Sequence, residues 1–307
     1  MALIVIRPGM LTTVQDLGRW GWQGSGVPVA GPMDAYSHRL ANRLVGNTDD
    51  AAALEVTLLG PELEADAEAL CAVAGARFDV TVNGDATDSS SPFVVPVGGR
   101  VRFGARRAGS RATLAVRGGL DVPKSFESRA TSIISRTGPF GGRPLLPGDV
   151  LPIGTPSTEA RLPAGRALSM PDGGACVRII RGPHDAMFMP GAFDALVGSR
   201  FVVTAQSNRM GYRLEGPVIR HAGGADILSD ATPIGSLQVP SSGQPILLMA
   251  DRQTTGGYPK IGTVITADLP IAGQLAPGDW IAFVECTREE AIDALMKREA
   301  ALSGADR

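Results

Sequence analysis

Apolar residues along this chain fall into many short runs, and only two stretches carry a helical period. Met33, Tyr36, Leu40 and Leu44 recur behind Asp34 and stop at Gly46-Asn47, which predicts an aspartate-capped helix. Thr287 and Glu290 form a capping box that opens a second helix with Ile292, Leu295 and Met296 on one face. Most of the rest reads as strand. Alternating or continuous β-type runs cover 54–58, 70–73, 78–82, 93–97, 100–103 and 112–116, then 177–180, 201–204, 246–249, 263–266 and 280–284.

Between the two sets lies 154–174, rich in Pro, Gly, Ser and Ala with little apolar periodicity, which reads as a linker. An internal repeat supports that division. In 112–153 and again in 247–283 a double glycine follows a strand, and a later Pro-Gly-Asp turn launches a final strand. The expected fold is therefore mainly β: two tandem β-barrels with a few short helices. The expected boundaries are an N-terminal segment with one helix packing on the barrels (1–60), a first barrel (61–153), the linker (154–174), a second barrel (175–286) and a C-terminal helix and tail (287–307).

Polar side chains concentrate in three bursts of the second half, at 207–216, 237–245 and 250–260. The last follows the apolar run 246–249, and a buried strand emptying into Asp, Arg, Gln, Thr, Thr and two glycines is a common way to build a site. Asp251 and Lys260 flank its turn. They read either as a base and a cation for developing oxyanions, or as an exposed ion pair on a solvated hairpin. Gln253, Thr254, Thr255, Gly256, Gly257 and Tyr258 between them are candidate substrate contacts. In the first burst Asn208, Arg209, Arg213 and Glu215 are candidates, with Arg209 preferred to Arg213 for ligand contact; the alternative is that Arg213 and Glu215, on one strand face, pair structurally. The carboxamides of Gln238 and Gln244 suit an amide or ureido group, and for Gln244 a plain turn role is an equal alternative. Gln15, Asp16 and Arg19 precede the glycine-rich loop 21–31, for which a structural or interface role is favoured over direct chemistry.

Composition narrows the function. The chain has 307 residues with net charge −2, 44% apolar and 20% charged, which gives no electrostatic footprint for nucleic acid or a membrane surface. Glycine (39) and proline (23) are abundant while aromatics are 5%, which again favours short strands and tight turns. The N-terminal apolar run is too short for a signal peptide, so the cytoplasm is the default. Cys71, Cys176 and Cys286 have no metal-type spacing and read as small buried hydrophobes. His38, His184 and His221 are scattered, His38 as a surface or packing residue, and no metal site is expected. There is no Gly-Lys dipeptide for a Walker-type loop and no Met-Lys-Ala biotin attachment site.

The motifs carry a more specific resemblance. They are Gly-Met-Leu-Thr-Thr-Val-Gln-Asp-Leu-Gly-Arg ending at Arg19, Gly26-Val27-Pro28, Gly31-Pro32-Met33-Asp34, Ala41-Asn42, Gly46-Asn47, Leu54-Glu55 and the three polar bursts. In this order, over about 7–283, the chain resembles the family of 5-oxoprolinase C-type subunits, also labelled KipA, biotin-dependent carboxyltransferase and the second subunit of allophanate hydrolase. Ser242 and Pro32 depart from the family pattern, which has Asp and Ala there. The resemblance implies tandem cyclophilin-like barrels and a heteromer with the B-type 5-oxoprolinase subunit, which is of KipI type, together with the A-type one. It implies a small-molecule substrate: 5-oxoproline, opened to glutamate at the expense of ATP with Mg²⁺, at a site shared with the partner. The alternative is the carboxyltransferase component of a biotin-dependent urea-type carboxylase. A third reading is a KipA-type regulator that binds a KipI-type kinase inhibitor. Under the first reading Asp251, Lys260 and Arg209 are expected to carry the chemistry.

Overall fold

Residues 1–305 apart from 89 and 157–161 are described by the computed structural model, and they divide into two units. Unit 1 takes Met1–Arg19, Ala30–Met170 and Glu299–Arg307; unit 2 takes Trp20–Val29 and Pro171–Arg298.

Unit 1 is built from β1 (Ala2–Arg7), β2 (Leu11–Gln15), β3 (Ala53–Thr57), β4 (Glu62–Ala65), β5 (Ala69–Val82), β6 (Asp85–Ala86), β7 (Phe93–Val95), β8 (Arg100–Val116) and β9 (Val150–Pro152). They form one antiparallel sheet in the order β2-β3-β8-β4-β1-β9, with β5 laid along β8 and carrying β6 and β7. The sheet curls over a core of Leu3, Val5, Leu54, Val56, Leu63, Val73, Val101, Leu114 and Leu151, without closing into a hydrogen-bonded ring.

Two expectations are corrected here. The segment 1–60 does not pack on a barrel from outside, because β1, β2 and β3 are strands of the sheet itself. β2 escaped detection because it buries polar side chains: Thr12, Thr13 and Gln15 are all inaccessible, so no apolar alternation marks it. The expected strand pairs 70–73 with 78–82, and 100–103 with 112–116, are each one continuous strand. The pairing of β5 with β8 runs from Cys71–Val116 to Val82–Val101, with register shifts between Gly75 and Val80. Bulges bend a strand and break its alternation without ending it.

The first helix forms where expected, at Ala35–Leu44, with Asp34 Oδ1 accepting from the Ser37 amide at 2.8 Å. Tyr36, Leu40 and Ala41 bury against Ala72, Ala74, Ala115 and Leu302. Part of the expected linker belongs to this packing. Tyr36 Oη donates to the Arg166 carbonyl at 2.7 Å and the Gly165 amide to the Leu302 carbonyl at 2.8 Å, so the unit boundary falls after Met170. Residues 157–161 of that linker lie outside the described ones.

Unit 2 is a closed barrel. Its strands are β10 (Gly174–Arg181), β11 (Arg200–Val203), β12 (Gly211–Glu215), β13 (Asp230–Ala231), β14 (Ser236–Gln238), β15 (Ile246–Leu248), β16 (Thr255–Gly256), β17 (Lys260–Val264) and β18 (Trp280–Glu285). The ring runs β10-β17-β14-β15-β12-β11-β18, and the parallel pair β10–β18 completes it. Val177, Ile179, Phe201, Val203, Leu214, Leu247, Ile261 and Phe283 fill the interior. β13 and β16 pair only with each other and form a small flap.

The repeat seen in sequence has a physical counterpart in its second half. Gly148 and Gly278 both adopt left-handed φ, at 85° and 94°. Asp149 and Asp279 each accept from the amide three residues back, Leu146 at 2.7 Å and Ala276 at 2.8 Å. Each turn then hooks onto a strand, Gly148 N to Val5 O and Gly278 N to Val203 O, both at 2.8 Å. The double glycines do not correspond: Gly118 and Gly119 have positive φ, whereas Gly256 lies in the β16 ladder.

The second helix, Arg288–Ser303, opens with the expected box: Thr287 N donates to Glu290 Oε2 at 2.8 Å and Glu290 N to Thr287 Oγ1 at 3.2 Å. Of the cysteines only Cys71 is fully buried, with its thiol pushed up to about 12 by burial; Cys176 is exposed, on an outward position of β10. Among the described residues no helix is long and apolar enough to cross a membrane.

Candidate functional site

The polar bursts of unit 2 border the adjacent strands β12, β15 and β14. Gly211 sits opposite Leu248 and Gln238 opposite Ile246, at the two ends of the three-residue β15, and all four residues line one cavity. Gly211 has to be small, because a Cβ there would stand 2.9 Å from the Leu247 carbonyl oxygen. A cavity of about 200 Å³ opens there, lined by Asn208, Arg213, Gln238, Gln253 and Tyr258 among others. Four of the eleven residues predicted from sequence therefore share one pocket, and Arg213 joins them.

Two carboxamides face each other in this pocket. Gln253 Nε2 lies 3.4 Å from Gln238 Oε1, and Gln238 Nε2 lies 3.5 Å from the Tyr258 carbonyl. Hydrogen bonds of that length are weak, so a ligand amide at the usual separation of about 2.9 Å would displace them readily. Gly256 makes the arrangement possible. A Cβ on it would stand 2.6 Å from Gln238 Nε2 and 3.2 Å from Gln253 Nε2.

Arg209 and Asp251 do not line this cavity. They form a bidentate pair, Nε to Oδ2 and Nη2 to Oδ1 both at 3.1 Å, with side chains 5% and 1% exposed. The Asp251 amide also donates to the Arg209 carbonyl at 2.8 Å. This pair ties the loop after β15 to the turn before β12. Of the two arginines of this burst, Arg209, preferred from the sequence as ligand contact, is engaged with Asp251, and Arg213 lines the pocket.

Lys260, paired with Gln238 across β14 and β17, does not line this cavity either. Its Nζ reaches Asp230 Oδ2 at 2.5 Å and the Ala231 carbonyl at 2.6 Å, which anchors the flap. Its ammonium holds the Asp230 carboxyl below the ordinary range. His184 accepts from the Lys260 amide through Nδ1 at 3.2 Å, and burial and then the Lys260 charge lower its pKa. Thr255 and Gly256 form the flap strand, and Gly257 accepts from the Ile227 amide.

Thr254 lines a second cavity of about 250 Å³, together with Trp20, Gln23, Thr232, Arg252 and Gln253. Arg252 was overlooked in the sequence, where nothing distinguishes it from the charged residues beside it. Gln244 brackets Gly216, accepting from its amide and donating to its carbonyl. Gln15, Asp16 and Arg19 are likewise buried and hydrogen-bonded within unit 1. Asp16 accepts from Gly18 N, Ser128 Oγ and Arg129 N. His38 is a packing residue, buried beside Asn42, with its pKa lowered to about 4 by desolvation. Among the described residues no group of His, Cys, Asp and Glu could hold a metal ion.

The profile of the carboxyltransferase domain, subdomain A and B, matches residues 25–285. The chain is 38% identical over 292 residues to the 5-oxoprolinase C subunit of Escherichia coli, covering 95% of this chain and 94% of that one. It belongs to the family of 5-oxoprolinase C-type subunits. A second member of this carboxyltransferase-domain family, the 5-oxoprolinase C subunit of Haemophilus influenzae, is 33% identical over 94% of this chain. The family extends to larger proteins. Urea amidolyase of Lachancea kluyveri is 34% identical over 98% of this chain, which spans 18% of its length. The crystal structure of the Kluyveromyces lactis urea amidolyase superposes with TM-score 0.92 at 32% identity, over 98% of this chain and 20% of that one.

Proposed function

We propose that this chain is the lactam-binding component of an ATP-dependent 5-oxoprolinase that opens 5-oxoproline to glutamate together with the A-type and B-type subunits. The observation that carries the reading is the pair of loosely bonded carboxamides, Gln238 and Gln253, at a small pocket beside Arg213. A lactam ring holds its amide cis, so its N–H and C=O point to one side. A glutamine carboxamide presents the complementary acceptor and donor side by side and pairs with such an amide through two hydrogen bonds. Arg213 supplies the fork for the carboxylate that 5-oxoproline carries and urea lacks.

In the reaction the ring C–N bond breaks, the nitrogen leaves as the amine of glutamate, and the carbonyl carbon gains an oxygen from water. ATP hydrolysis supplies the driving force. On this reading ATP with Mg²⁺ binds at a site shared with the partner, and the sequence of this chain carries no Walker-type loop. Gln238 and Gln253 orient the amide and Arg213 fixes its register. Asp251 and Lys260 act indirectly, by holding the loop and the flap.

The test is 5-oxoproline-dependent ADP release by the co-expressed complex. Gln253→Leu and Gln238→Leu should each lower kcat/KM by about 10- to 100-fold, the usual worth of a lost polar contact to substrate. Arg213→Gln should raise KM for 5-oxoproline with little change in kcat. The likeness to urea amidolyase over nearly the whole chain supports a second reading, carboxyl transfer from biotin to a ureido group. Turnover that needs a biotinylated carrier and urea, and ignores 5-oxoproline, would establish it and refute the first.

A further inference from the structure

Among the described residues three cations of unit 2 are buried, and they are compensated differently. Arg209 is paired with Asp251 and Lys260 with Asp230. Arg252, 8% exposed, donates from Nε to the Thr232 carbonyl at 2.7 Å and from Nη1 to the Met249 carbonyl at 3.5 Å. Both of these partners are neutral carbonyls, and among the described residues no carboxylate lies within ion-pair reach of Arg252. Burial pushes its pKa down to about 10, which marks how poorly the charge is compensated. A buried guanidinium is costly unless an anion completes it, and the guanidinium fork suits two oxygens of one oxyanion.

Arg252 lines the cavity of about 250 Å³ that also contains Trp20, Gln23, Gln253 and Thr254. The size is below the roughly 300–1,000 Å³ of sites for drug-sized ligands, so the occupant is compact. Gln23, Gln253 and Thr254 bring side-chain amide and hydroxyl donors, and Trp20, 60% exposed, supplies an aromatic face at the rim.

We propose that this cavity is an anion site in which Arg252 binds a compact oxyanion, a carboxylate or a phosphoryl group, separately from the amide pocket. Gln253 lines both cavities, so an anion held here would fix the residue that faces the amide. The inference does not require the lactam reading and is tested on the chain alone, by binding and not by turnover.

The chain would be titrated at constant ionic strength with inorganic phosphate in one series and 5-oxoproline or acetate in another, following tryptophan fluorescence and Tm. A saturable response is expected in at least one series, and which series responds assigns the oxyanion. Arg252→Met should weaken it at least tenfold, and Arg252→Lys less. Should Arg252→Met fail to fold, Thr254→Val serves instead and should weaken binding severalfold. Absence of a saturable response in both series, or a response unchanged in the variant, would overturn the site.

Discussion

Replacing Asp251 by Asn separates two roles for this residue. Both side chains of the Arg209–Asp251 pair are almost wholly inaccessible, and each carboxylate oxygen takes one N–H at 3.1 Å. Removing one charge of such a pair strands the other in the interior, at a cost of about 3–5 kcal/mol. Asn keeps one acceptor oxygen, so the loss should lie near the lower end, about 3 kcal/mol. With a urea m-value of about 1–3 kcal/mol per M, the midpoint should fall by about 1–3 M. Trp20, Trp22 and Trp280 all belong to unit 2, so intrinsic fluorescence follows this unit selectively. The double variant Arg209→Met with Asp251→Leu removes both charges and should return to within about 1 kcal/mol of the native protein. Asp251→Asn within about 0.5 kcal/mol of native, but inactive in the reconstituted complex, would refute the positioning role and restore Asp251 as a base.

Gly256→Ala should leave stability within about 1–3 kcal/mol, the range for a tight insertion, while pushing Gln238 and Gln253 apart and lowering kcat/KM for the amide substrate; native kinetics would show that the carboxamide pair is not used. His38 has a folded pKa of about 4 against 6.5, so the unfolded chain binds more protons between those values. The neutral, buried ring therefore contributes stability that is fully present above about pH 6.5 and lost as pH falls to about 4. The change is worth about 3 kcal/mol at 1.36 kcal/mol per unit. Calorimetry of His38→Gln should show a shallower decline of the unit 1 transition over that window, and a parallel decline would count against the assignment.

What the sequence revealed and what it hid have physical causes. Caps and turns are local, so Asp34, the Thr287–Glu290 box and the Pro-Gly-Asp turns stood out in the sequence, and each is closed by local hydrogen bonds. The crowding of Asn208, Gln238, Gln253 and Tyr258 around one pocket was signalled by polar loops leaving apolar strands. Their division of labour was not. Whether a charge is spent on a neighbour depends on residues distant in the chain: Arg209 and Asp251 are 42 positions apart, Lys260 and Asp230 30. Arg252 was hidden for the same reason, since only the fold shows that among the described residues no carboxylate pairs with it. β2 was hidden because a strand that buries threonines and a glutamine lacks the alternation that betrays strands.

The parallel pairing of β10 with β18 governs how the barrel can be assembled. Gly174 stands opposite Trp280 and Ile179 opposite Glu285, so the first strand of the ring is sealed by the last. During synthesis every earlier strand must wait as an open sheet with β10 and β11 as bare edges, the arrangement most exposed to pairing with other chains. Ring closure is thus a late, long-range event, slow by the topology of its contacts. The parallel direction also places the start of β10 and the end of β18 at opposite ends of the ring. A circularly permuted barrel would need a connector spanning the eight residues of β10, about 26 Å at 3.3 Å per residue.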